Sequence, residues 1–268
     1  MRVALISYFD AERGGGARRA LYAYRLYRYA GLEAIPAAPL SRGLGALCGA
    51  DAYLSYHEGY DTLLKALLAG ARCGARKVAL LQGSPFYKDP RRRRNLLAAL
   101  SIFENYARKH SMEEHFRRYL AARRAVILRP PSLFGEIFKL FDLVIHISPS
   151  IPAETGVEGY VMDPGASLPR RELRILASRK PRKNCVLYVG RPVPEKGIVE
   201  AVLIFAKAAS RTPLRLCIAT PGGPGARLAL AAARDLGVGD RVTHVELSRP
   251  ELLSAYSEAK AVVYPSHD

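Results

Sequence analysis

Along this chain short apolar runs alternate with longer stretches in which apolar residues recur at helical spacing. Short runs bounded by turn residues read as buried strands, and the amphipathic stretches as helices packed on them. In the first half the pattern predicts strands at 2–8, 51–56, 77–82 and 142–148, with a weaker one at 158–162. It predicts helices at 17–30, 61–72, 95–109, 112–124 and about 135–140, with Pro130-Pro131 breaking the helical region before the last strands.

Between Ser167 and Asn184 the sequence is Pro-punctuated, basic and poor in strand formers, although 171–179 has helical character. Beyond it the rhythm restarts, with strands at 185–189, 214–219, 241–245 and 261–264 and helices at 197–209, 224–236 and 249–258. This βαβ rhythm implies an α/β protein with two parallel-sheet units in tandem. The expected boundaries are a first domain over 1–168, a basic linker over 169–183 and a second domain over 184–268.

Composition narrows the picture. A chain of 268 residues, 49% hydrophobic and 24% charged, has the make-up of a soluble globular protein with room for two medium domains. No apolar run approaches the roughly 18 residues a membrane span needs, and Met1–Phe9 reads as a first strand rather than a signal peptide. The four cysteines (Cys48, Cys73, Cys185, Cys217) form no C-x-x-C pair, and free buried thiols in a reducing cytoplasm are expected.

The formal net charge of +17 changes the range of partners. The positive residues cluster in Arg91–Arg94, in Arg108, Lys109, Arg117, Arg118, Arg123 and Arg124, and in a third block from Arg170 to Lys183. Such blocks attract phosphorylated substrates, anionic lipid or nucleic acid. An anionic membrane surface is the preferred expectation, with nucleic acid second.

The densest chemistry lies in Val186-Leu187-Tyr188-Val189-Gly190-Arg191-Pro192-Val193-Pro194-Glu195-Lys196-Gly197. An apolar strand ends at a glycine, two cations follow, and a second glycine opens a helix. Arg can grip two phosphate oxygens, Lys adds a compact point charge, and bare backbone N–H groups at a helix start favour an anion. A second strand runs into Gly222-Gly223-Pro224. Near the N-terminus Gly14-Gly15-Gly16 precedes a helix expected from Ala17, but Arg19 stands where G-x-G-x-x-G needs its last glycine, which disfavours a dinucleotide site. The chain has no D-x-D, no zinc-spaced His/Cys grouping, no P-loop and no G-x-S-x-G elbow, so a metal cofactor is not expected.

Taken together, the G-R-x4-K-G pattern at 190–197, the glycine loop at 222–224, Leu236-Gly237-Val238-Gly239-Asp240-Arg241-Val242, and Glu251-Leu252-Leu253 with Val262-Val263-Tyr264-Pro265-Ser266 resemble the donor-binding half of the retaining GT-B glycosyltransferases of family 4 (group 1). The resemblance implies a GT-B-like fold of two Rossmann-like domains and transfer of a sugar from a nucleotide-sugar with retention of configuration, without a metal. It gives Arg191 and Lys196 the donor diphosphate, with Gly190, Gly197, Gly222 and Gly223 as donor-site backbone. In the first half it is weaker. It assigns Gly14, Gly15, Gly16, His57 and Ser148 to the cleft, and puts Gln82 where many members carry a histidine. The implied acceptor is a glycan or a lipid-phosphate carrier. The family continues past Pro-Ser with Glu-x7-Glu, whereas this sequence stops at Asp268, so a second sheet lacking strands is expected. A protein that keeps the fold and binds polyanions without catalysis is the alternative expectation.

Overall fold

The computed structural model describes residues 1–7, 15–37, 48–56, 60–81, 89–128, 132–162, 170–177 and 183–267. They divide into two compact units, residues 1–89 with 128–167, and residues 90–127 with 168–268. The GT-B-like reading holds, with two parallel α/β sheets of six and four strands.

Unit 1 carries β1 (Arg2–Ile6), β2 (Glu33–Ala37), β3 (Ala52–Ser55), β4 (Arg76–Leu81), β5 (Leu143–His146) and β6 (Tyr160–Val161), in the order β2-β1-β3-β4-β5-β6 and all parallel. Alternation along β1 makes it buried on both faces. Val3 and Leu5 pack with Leu54, Leu80 and Ala20 of helix α1 (Gly15–Tyr29). Ala4 and Ile6 pack with Leu63 and Ala66 of helix α2 (Tyr60–Cys73). Each such Leu or Ile contributes about 1.5–3 kcal/mol of burial.

β2 was not expected from the sequence. Its EAIPA segment is interrupted by Pro36, which a strand tolerates here because β2 lies at the sheet edge. α1 starts at Gly15, two residues ahead of the expected Ala17.

The first half of the sequence is not one structural unit. After β4 the chain builds α3 (Pro90–Lys109) and α4 (Glu113–Leu128), and residues 90–127 belong to unit 2, whereas α5 (Ser132–Phe138) and α6 (Ser150–Thr155) flank β5 in unit 1. The stretch 1–168 thus contributes residues to both units. α3 also begins at Pro90 rather than 95, so Arg91–Arg94 are helical, with Pro at the first position where its missing N–H costs nothing. Phe103 of α3 meets Phe116 of α4 edge to face, ring centroids 4.8 Å apart. Residues 170–177, placed in the linker by the sequence, form helix α7 in unit 2.

Unit 2 continues with β7 (Lys183–Val189), α8 (Ile198–Ala209), β8 (Arg215–Ala219), α9 (Pro224–Asp235), β9 (Val242–Val245), α10 (Arg249–Glu258) and β10 (Ala259–Val262). The strand order is β10-β7-β8-β9, again parallel. A cavity of about 830 Å³ separates Cys185, Leu187 and Cys217 on one sheet face from α7 and α10. Among the described residues no helix is long and apolar enough to cross a membrane.

The expectation of free thiols is overturned. Cys48 is joined to Cys73 and Cys185 to Cys217, with Cα atoms 5.4 and 6.1 Å apart. The first pair is made by the segment before β3 meeting the end of α2, and the second by neighbouring strands, proximities that sequence spacing does not reveal. The cysteines therefore lend no support to a reducing compartment.

Arg241 ties unit 2 together at the edge opposite β10. Its guanidinium donates to the carbonyls of Ala209 (2.7 Å), Thr212 (2.5 Å) and Leu214 (3.1 Å), and lies 5.4 Å from the Phe205 ring centroid. These carbonyls end α8 and lead into β8. Arg241→Ala should destabilise unit 2 by about 2–3 kcal/mol, because three half-buried carbonyls lose a charged donor at once. Arg241→Lys, with no planar fork, should recover only part of that loss in urea denaturation.

Candidate functional site

In a parallel sheet every strand delivers the chain to the same edge, and where strand order reverses the adjacent loops leave in opposite directions and open a crevice. In unit 2 that point lies between β7 and β10. The loop after β7 is Gly190–Gly197, and the segment after β10 is Val263–His267.

The two segments are fastened to each other. Tyr188 is fully buried, and its hydroxyl donates to the carbonyls of Lys196 (3.0 Å) and Arg191 (3.4 Å), stapling the loop to its own strand. Ser266 Oγ and the His267 N–H both donate to the Glu195 carbonyl, at 3.3 and 2.8 Å. Lys196 Nζ lies 3.5 Å from Ser266 Oγ and 5.7 Å from the Tyr264 ring centroid. The ammonium is thus half-buried where the two segments meet, while Arg191 is exposed. Gly197, at φ +65°, ends the 3-10 turn Pro194–Lys196 and begins α8. A Cβ there would lie 2.2 Å from the Pro265 carbonyl oxygen.

The second glycine loop abuts the first. Gly222 and Gly223 lead into α9, and Gly225 in its first turn comes so close to Pro192 that a Cβ would lie 2.0 Å from the Pro192 carbonyl oxygen. Two segments carrying sequence-predicted residues, 190–197 and 222–225, therefore abut each other, and 263–267 joins the first.

Two carboxylates lie close by, and both have partners. Glu195 is 1% exposed and accepts the Tyr119 hydroxyl at 2.6 and 2.5 Å on its two oxygens. Arg123, one helical turn further along α4, forms an ion pair with the same carboxylate. Burial and the adjacent Glu195 charge push the Tyr119 hydroxyl well above the usual phenol range, while the Arg123 and Arg191 cations act in the opposite sense. Burial likewise raises Tyr188, helped by Tyr264 and Glu200 and opposed by Arg191. Arg191 is therefore within electrostatic reach of both phenols. Glu200, in the first turn of α8, meets His267 Nε2 at 3.3 Å. The loop thus carries two cationic residues, Arg191 and Lys196, directly ahead of the N-terminus of α8, a sequence of groups that suits a polyphosphate anion.

Of the cleft residues expected in the first half, Gly15, Gly16 and Ser148 are described, and they lie in unit 1. Ser148, after β5, accepts from the Ser150 N–H (3.3 Å) and shares a hydrogen bond with the Ser150 hydroxyl (3.0 Å) at the start of a short helix. Gly15 and Gly16 form the first turn of α1. Gly14, His57 and Gln82 lie outside the described residues. Sequence reasoning missed Glu195, Tyr119, Arg123 and Tyr188 as members of the cluster. The acidic residue inside G-R-x4-K-G was a usable signal for Glu195, whereas nothing in α4 announces its partner.

Gly197 and Gly237 offer a controlled comparison, since both have positive φ but only Gly197 is crowded. Gly237→Ala should cost about 1 kcal/mol in thermal denaturation. Gly197→Ala should cost about 2 kcal/mol or more, because Pro265 must also move. Equal losses would mean that the close approach to Pro265 contributes nothing.

Residues 170–268 match the family model "Glycosyl transferases group 1". No curated protein sequence matches the chain. Among solved structures, an α-glucosyltransferase in complex with UDP and a mismatched 13-mer DNA is 11% identical with a TM-score of 0.54, over 99% of this chain and 72% of that one. HepE of Anabaena, in complex with UDP and glucose, is 14% identical with a TM-score of 0.54, over 99% and 74%. AviGT4, a glycosyltransferase of avilamycin A biosynthesis, is 15% identical with a TM-score of 0.54, over 99% and 70%. The chain thus has the GT-B fold seen in these glycosyltransferases, and its segment 170–268 is similar to the glycosyl transferases group 1 family model.

Proposed function

We propose that this protein is a glycosyltransferase that moves a sugar from a nucleotide-sugar to an acceptor, with retention of anomeric configuration and no metal ion. The observation that supports this reading is the position of the loop Gly190–Gly197, which carries Arg191 and Lys196, beside the segment after β10, inside the stretch that matches glycosyl transferases group 1. The chemistry asks for charge stabilisation of a departing nucleoside diphosphate and for exact placement of two substrates. Arg191 grips the diphosphate from the open side. Lys196, half-buried and oriented by Ser266 and Tyr264, meets the oxygen on which negative charge develops as the sugar leaves. Gly190, Gly197, Gly222 and Gly223 let backbone approach the donor. UDP in two of the similar structures makes UDP-sugars the first donors to test.

The net charge of +17 supports an anionic acceptor. A lipid-phosphate carrier or a glycan at the cytoplasmic face of a membrane is the reading it favours, with the protein held peripherally. The same charge favours a second reading, a polyanion-binding protein without catalysis, whose affinity for DNA or RNA would fall steeply with salt.

Lys196→Ala and Arg191→Ala should each lower sugar transfer by about a hundredfold, the scale of losing one preorganised charge donor. The melting temperature should change little, since both heads serve the loop surface rather than the core. Near-normal turnover in both variants would sink the assignment.

A further inference from the structure

We propose that Tyr119 and Arg123 of α4 are positioning residues for the diphosphate loop: they hold Glu195 and cancel its charge, so that Glu195 does not compete with the donor for the loop cations Arg191 and Lys196. The proposal rests on the glycosyltransferase reading above and assigns that site a support from a distant helix.

The argument starts from a conflict. A loop meant to bind a diphosphate carries a carboxylate immediately before its lysine, and that carboxylate is 1% exposed. A buried carboxylate without partners costs several kcal/mol, and with its charge intact it repels an anion bound nearby. The structure resolves the conflict through α4. Tyr119 and Arg123 are four residues apart and so share one helix face, directed at Glu195. Tyr119 donates its single hydroxyl proton between the two carboxylate oxygens, and Arg123 supplies the balancing charge. The α4 face beside it is fixed by Phe116, Leu120 and Ile127, all buried, and by Phe103 of α3.

On the other side of Glu195, its backbone carbonyl takes the Ser266 hydroxyl and the His267 N–H. The residue is thus held from two directions, and its neighbour Lys196 has its backbone held by Tyr188. Arg191 reaches the same group electrostatically, acting on the Tyr119 phenol. With Arg123 removed, Glu195 keeps a buried charge beside Tyr119, within electrostatic reach of Arg191, and competes with the donor for that cation.

A structural support alone would not discriminate between the nucleoside and the phosphates of a ligand, whereas charge cancellation must. The test is isothermal titration of the full chain with UDP, ADP and GDP, and with the matching nucleoside of whichever binds. Tyr119→Phe should weaken the diphosphate about fivefold, and Arg123→Met about thirtyfold, the range for a hydrogen bond or ion pair to a charged group. Nucleoside affinity should stay within about twofold, which is under half a kcal/mol. Adding Glu195→Gln to Arg123→Met should restore most of the diphosphate affinity, because the uncompensated charge is then gone. If Arg123→Met fails to fold, Tyr119→Phe alone and with Glu195→Gln carries the comparison, the second substitution then adding little further loss. Wild-type affinities in the variants, or equal loss for nucleoside and diphosphate, would overturn the proposal while leaving the glycosyltransferase reading standing. A wild-type chain that binds none of the three diphosphates would overturn both.

Discussion

The parallel sheet of unit 2 imposes the constraint on which the site depends. Because β7 and β10 are neighbours and run the same way, the loops that follow them emerge side by side although more than sixty residues of sequence separate them. The strand order reverses there, so helices do not close the gap from both sides. What fills it is backbone: the Glu195 carbonyl under Ser266 and His267, and Gly197 against Pro265. Each approach needs a glycine or a small polar group, and these residue types stand at 197 and 266.

Electrostatics gives the crevice its sign. Unit 2 contains many basic side chains, yet several of them are engaged: Lys109 with Asp235, Arg124 with Glu104, Arg249 with Glu172 and Lys183 with Glu258. Net charge alone therefore says little about where an anion binds. The relevant balance is local. At the β7 loop a carboxylate could cancel a cation, and the fold supplies Glu195 with other partners, Arg123 and Tyr119. The cationic character of the loop is a property of its neighbours as much as of its own residues.

The α3–α4 hairpin has the same character of distant support. It is inserted in sequence between two strands of the six-stranded sheet, yet it packs into the four-stranded unit, where His110 and Lys109 both reach Asp235 of α9. The arginines that look like a surface block in the sequence divide accordingly. Arg93 donates to the Ile127 carbonyl and Arg124 pairs with Glu104, while Arg91 and Arg94 stay exposed.

The sequence by itself determined the α/β class, the strand–glycine–cation loop and its helix, because these depend on residues adjacent in the chain: the short apolar runs of β1 and β7, apolar recurrence in α8, and Gly190, Arg191, Lys196 and Gly197 at fixed spacing. It did not reveal β2, whose edge position excuses Pro36, nor the two cysteine pairs, nor that 90–127 belongs to unit 2. Only tertiary structure could bring Tyr119 and Arg123 to Glu195, since a contact across 76 residues leaves no trace in local periodicity. Propensity and pattern act over a few residues, whereas the partner of a buried charge is decided by which surfaces the sheets and helices bring together.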